Sequence, residues 1–137
     1  MASGADDGKR GVAALWGGEA RPVGGALLCA VMALLAYAVR YRFVEPEAMG
    51  AACERTQPWW CPVRTGFIVF TQWRGFGWLA LGCAVAALIA LLAGRVGATR
   101  WLAAVALAAG GAGMILYNAA HAIPAVVIAG LCLVRAR

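Results

Sequence analysis

The sequence predicts an all-α integral membrane protein with four transmembrane helices. Three observations carry that expectation. Hydrophobic residues make up 64% of the chain and charged ones 13%, against about 25% charged in an ordinary soluble domain. The apolar residues gather into long runs with arginines at their ends, as spans with basic flanks do. One polar segment, residues 40–64, interrupts the runs and carries a cysteine pair, Cys53 and Cys61. At about 20 residues per span, 137 residues accommodate four or five spans at most.

Residues 1–20 are rich in Gly and Ala, with mixed charge and no sustained period. They read as a flexible cytoplasmic tail. The remainder, 21–137, reads as a single transmembrane helical domain. The first span is expected over 22–39. Arg21 precedes it, Arg40 and Arg42 follow it, and Pro22 suits a first helical position, where no amide bond is lost. Arg21, the apolar run and the triplet Ala36-Tyr37-Ala38 also resemble a signal peptide with its cleavage site. The long tail of mixed charge ahead of them favours a retained span.

Residues 40–64 are expected as an extracytoplasmic loop, with Pro46, Pro58 and Pro62 breaking helix inside it. The apolar and aromatic stretch 66–74 then reads as an amphipathic segment along the membrane surface, or as the first turns of the second span. Trp73, Phe76 and Trp78 form an aromatic belt at that boundary. The second span is expected over 75–94, and Arg95 to Arg100 as a tight turn. The apolar run from Trp101 to Val134 is 34 residues long, about 51 Å as one helix, too long for one span. It divides at Tyr117-Asn118-Ala119-Ala120-His121, ahead of Pro124, into spans at 101–117 and 121–134. A single helix kinked at Pro124 is the alternative, with three spans in all.

The basic residues orient the chain. With the N-terminus inside, the cytoplasmic side collects Lys9, Arg10, Arg21, Arg95, Arg100, Arg135 and Arg137. The other side has Arg40, Arg42, Arg55, Arg64 and Arg74, offset by Glu45, Glu47 and Glu54. The bias places both termini in the cytoplasm, in a bacterial-type inner membrane. It also places Cys53 and Cys61 in an oxidising compartment, where a disulfide persists. The net charge of +6 is scattered over the ends of apolar runs and not gathered into a stripe, which excludes nucleic acid as a partner. Membrane lipid and other membrane-protein subunits are the partners expected.

Three groups of residues could carry function. Cys53 and Cys61, with seven residues between them, would close a short loop and hold Trp59 and Trp60 at the membrane face as a partner-docking surface. A redox role of the kind served by four-span thiol oxidases would need a Cys-x-x-Cys, and there is none. Tyr117, Asn118 and His121 form either a turn at the interface or a ligand site, where Asn118 and His121 could bond a quinone carbonyl. Gln72 and Arg74 could add contacts there, although Arg74 fits an interface position from which a long basic side chain snorkels. Gly110, Gly111 and Gly113 let helix backbones approach closely. Cys29, Cys83 and Cys132, inside apolar runs, read as small buried hydrophobes.

No acidic residue lies inside an expected span, the sole histidine has no carboxylate near it in sequence, and no metal-binding motif occurs. Catalytic and metal-ligating residues are therefore not assigned, and no cofactor is predicted beyond a quinone or a bound lipid. The expectation is a non-enzymatic accessory or assembly subunit of a larger inner-membrane complex. The alternatives are a quinone- or thiol-linked electron-transfer protein using Cys53, Cys61 and His121, and a small oligomeric carrier or channel subunit.

Overall fold

The computed structural model describes residues 20–136. The expected tail, 1–20, lies outside them but for its last residue. Every element is helical, in the order α1 (Ala20–Val39), a π-helical turn (Arg40–Val44), α2 (Glu47–Thr56), α3 (Cys61–Gln72), α4 (Gly75–Leu92), α5 (Val96–Ile115) and α6 (Ala119–Arg135). Helices dominate because a long apolar segment can satisfy its backbone groups away from water only by bonding them within itself.

Three segments are long and apolar enough to cross a membrane: Pro22–Val44, Gly75–Leu92 and Val96–Ile115. The helix α6 is apolar but shorter, with 17 residues, or about 26 Å. Helices α1, α4, α5 and α6 run in alternating directions. Arg40, at the end of α1, reaches the carbonyl of Ile115 at the end of α5. At the opposite end, Arg100 Nη2 donates to the carbonyl of Ala136 beyond α6 at 3.2 Å. The central helix is α5, which packs on α1, α4 and α6.

The interior is built from small side chains. The buried face of α4 is Gly77, Ala80, Ala84, Ala87 and Ala90, a helical three-and-four spacing. That of α6 is Ala122, Ala125, Ala129, Cys132 and Leu133. Large apolar residues such as Leu34, Ile89, Leu92, Trp101 and Leu131 face outward. Water would oppose such an arrangement; lipid favours it, because close packing and not hydrophobic contrast joins helices there. Length, composition and this small-inside, large-outside distribution identify a helical-bundle membrane protein.

Gly110, Gly111 and Gly113 serve this packing within the chain. A Cβ on Gly111 would come within 2.3 Å of the carbonyl oxygen of Cys29 in α1, and one on Gly110 within 2.5 Å of Val126 Cγ2 in α6. Gly113 is set against Ala122. Of the thiols in the apolar helices, Cys132 is buried, while Cys29 and Cys83 are partly covered.

Boundaries differ from the sequence expectation in two places, for local reasons. Residues 40–64 are largely helical. Pro46 caps the start of α2, and Pro62 lies in the first turn of α3, where the missing amide costs no bond. The prolines thus begin helices more than they break them. The turn expected at 95–100 is tighter and earlier: Gly94, at φ 71°, reverses the chain and α5 already starts at Val96. Residues 66–72 of the stretch 66–74 belong to α3, a separate helix that ends before α4. Arg74 adopts the left-handed conformation, φ 59°, and the chain turns so sharply that a Cβ on Gly75 would overlap the Phe70 ring.

Candidate functional site

Arg40 organises one end of the bundle. The π-helical turn closes with the Glu45 amide donating to the Arg40 carbonyl at 2.9 Å, and this brings the Glu45 carboxylate back over Arg40. Arg40 Nε donates to Glu45 Oε1 at 2.7 Å and Nη1 to the Ile115 carbonyl at 2.9 Å. Nη2 donates to the Tyr117 hydroxyl, which in turn lies 3.4 Å from Glu45 Oε1. The Ile115 carbonyl is one of those left without a partner at the end of α5, so Arg40 joins α1 to the α5–α6 turn by capping it.

Beside this cluster is a cavity of about 400 Å³. Arg40, Glu45, Tyr117, Gln72 and Arg74 line it, with Val44, Phe67, Ile68 and Leu116 as apolar wall. Two of its residues, Arg74 and Tyr117, have positive φ, 59° and 62°. Both follow a helix end, where a left-handed residue is a common way to terminate the backbone; Gln57, φ 42°, does the same after α2, away from the cavity.

The structure therefore brings together Tyr117, Gln72 and Arg74 of the residues expected from sequence. Asn118 and His121 are not on the cavity wall. Asn118 is 1% exposed; its amide donates to the Leu116 carbonyl at 2.5 Å and reaches the Thr71 carbonyl at 3.4 Å. Its Oδ1 and the Nδ1 of His121 are buried without a partner. The His121 ring lies on Trp78, centroids 4.6 Å apart, and its Cβ is pressed toward Gly77 so closely that a methyl there would come within 2.9 Å. Packing between α4 and α6 holds the His121 ring against Trp78.

The polar segment forms a second unit. Cys53 and Cys61 stand at disulfide distance, S–S 2.12 Å, tying α2 to the start of α3. Arg64 then clamps α3 to the π-helical turn: its Nε donates to the Phe43 carbonyl at 3.1 Å and its Nη2 to the Val44 carbonyl at 2.7 Å. The two tryptophans part company. Trp60 packs beside Phe43, ring centroids 5.9 Å apart, whereas Trp59 is 85% exposed. Trp59, Pro58, Cys53, Cys61 and Thr65 line a surface groove, which none of Tyr117, Asn118 and His121 reaches.

Sequence reasoning did not find the Arg40–Glu45–Tyr117 cluster or the Arg64 clamp. Arg40 and Glu45 carry one signal, a basic and an acidic residue one π-helical turn apart. Nothing in the sequence links either to Tyr117. Among the described residues no three His, Cys, Asp or Glu side chains converge as a metal site would require. Comparison with protein-family models, curated proteins and solved structures finds no match to this chain.

Proposed function

We propose that this chain is a non-enzymatic accessory or assembly subunit of a larger inner-membrane complex, and that Trp59 is its docking residue. The observation that carries the reading is the exposure of Trp59, 85%, on a segment held by the Cys53–Cys61 pair. An indole left in water gains nothing for the chain itself. Fixed in place beforehand, it can enter a partner's pocket with little further loss of freedom. In this reading α6 is a fourth span, both termini are cytoplasmic and the Trp59 surface is extracytoplasmic.

The small-residue face of α5 is occupied by α1 and α6 of the same chain, so docking rests on the loop. Electron transfer through Cys53, Cys61 and His121 has less support, because the cysteines and the histidine line no common cavity.

The test is purification in mild detergent without reductant, with mass spectrometry of the proteins retained. A stoichiometric partner that is lost from a folded Trp59→Ala variant supports the reading. A partner retained unchanged by Trp59→Ala removes Trp59 from it, and a chain that purifies alone removes the subunit role.

A further inference from the structure

The cavity beside Arg40 combines charge, apolar wall and depth in a way that selects one ligand chemistry. Its lining holds two arginines against one glutamate, leaving one positive charge in excess. Arg40 commits three of its five N–H groups, to Glu45, Ile115 and Tyr117. Arg74 lines the cavity with no carboxylate partner among the described residues. The apolar part of its wall is Val44, Phe67, Ile68 and Leu116. The cavity also lies where two apolar segments meet polar chain, at the end of Pro22–Val44 and just before Gly75–Leu92. Trp73 and Trp78, next to and four residues after Arg74, are exposed, as tryptophans beside lipid headgroups are.

We infer that this cavity binds an anionic phospholipid. Arg74 and the uncommitted N–H groups of Arg40 hold its phosphate, Gln72 donates to the phosphate or glycerol oxygens, and the upper acyl chain runs over Phe67, Ile68 and Leu116. Glu45 keeps Arg40 in place and disfavours a headgroup that brings its own carboxylate. A neutral quinone fits less well. The Asn118 amide is committed to two carbonyls, and His121 lies outside the cavity against Trp78. This inference does not depend on a docked partner.

The experiment is native mass spectrometry of the purified chain in detergent doped with phosphatidylglycerol or phosphatidylcholine. One phosphatidylglycerol is expected to stay bound per chain, in preference to phosphatidylcholine. Arg74→Gln should weaken it about fivefold, the effect of removing one basic residue from an anionic headgroup. Arg74→Lys should retain most of the binding, and Arg55→Gln, outside the cavity, all of it. Equal retention of the two lipids, or wild-type retention by Arg74→Gln, overturns the inference. So does displacement of the lipid by millimolar inorganic phosphate, which would make the ligand a free anion. Arg74 makes no side-chain hydrogen bond or ion pair among the described residues, and circular dichroism of each variant verifies that the helices persist.

Discussion

The Arg40 guanidinium lies over the Tyr117 ring, 4.0 Å from its centroid, although the two residues are 77 positions apart. Arg40 ends the first apolar helix and Tyr117 forms the last turn between helices, so the pair closes the bundle at the end where the cavity opens. Cation–π attraction and the hydroxyl contact act together here. Tyr117→Phe keeps the ring and removes the hydroxyl; Tyr117→Ala removes both. Thermal unfolding in detergent should rank wild type above Tyr117→Phe, and Tyr117→Phe above Tyr117→Ala. Equal Tm values for the two variants would show that the ring adds nothing to the hydroxyl.

Gly111 is where α1 and α5 come closest. Its absent Cβ leaves room for the Cys29 carbonyl, which a methyl would approach to 2.3 Å. Backbone cannot swing aside as a side chain can. Gly111→Ala should therefore destabilise by about 1–3 kcal/mol, as overpacking does. Gly82, also in a span but with open space around its Cβ position, is the control: Gly82→Ala should stay within about 0.5 kcal/mol of wild type. Unfolding in mixed micelles measures both. A Gly111→Ala variant as stable as the control would mean that the helices can separate there without loss.

The helix α2 has no buried residue, so its order depends on the link from Cys53 to Cys61. Closing a loop this short stabilises by about 2–3 kcal/mol in the chain-entropy account. Cys53→Ser should raise hydrogen exchange in α2 by up to about a hundredfold, the same free energy expressed as an opening equilibrium. Exchange in α4 and α5 should not change. Uniformly faster exchange throughout the chain would show that the link supports the bundle as a whole.

Trp59 and Trp60 should respond in opposite ways to truncation. Trp60 is half-buried beside Phe43, and Trp60→Ala should cost about 1–2 kcal/mol of stability. Trp59→Ala should leave Tm unchanged and affect only what binds outside. If Trp59→Ala destabilises the isolated chain, the exposed indole has an internal role that its surroundings do not account for.

The sequence by itself determined the helical class, the apolar segments and the short loop between the cysteines. These are local properties. Some twenty apolar residues in lipid must bond their own backbone, and two cysteines eight positions apart can meet without help from the rest of the chain. It also marked Gly110, Gly111 and Gly113 as packing residues, since small side chains in an apolar run have few other uses. Tertiary structure alone decided what faces what. Helices fold back at Arg74, Gly94 and Tyr117, and only those turns bring Arg40 to Tyr117 and Arg74 to the same cavity. The alanine faces of α4 and α6 became a core because both helices pack on α5 and on each other; in an Ala-rich run every face looks alike. Trp59 and Trp60 are adjacent and chemically identical, yet one packs on Phe43 and the other stands in the open. The direction in which α3 leaves the disulfide separates them, and direction is a property of the folded chain.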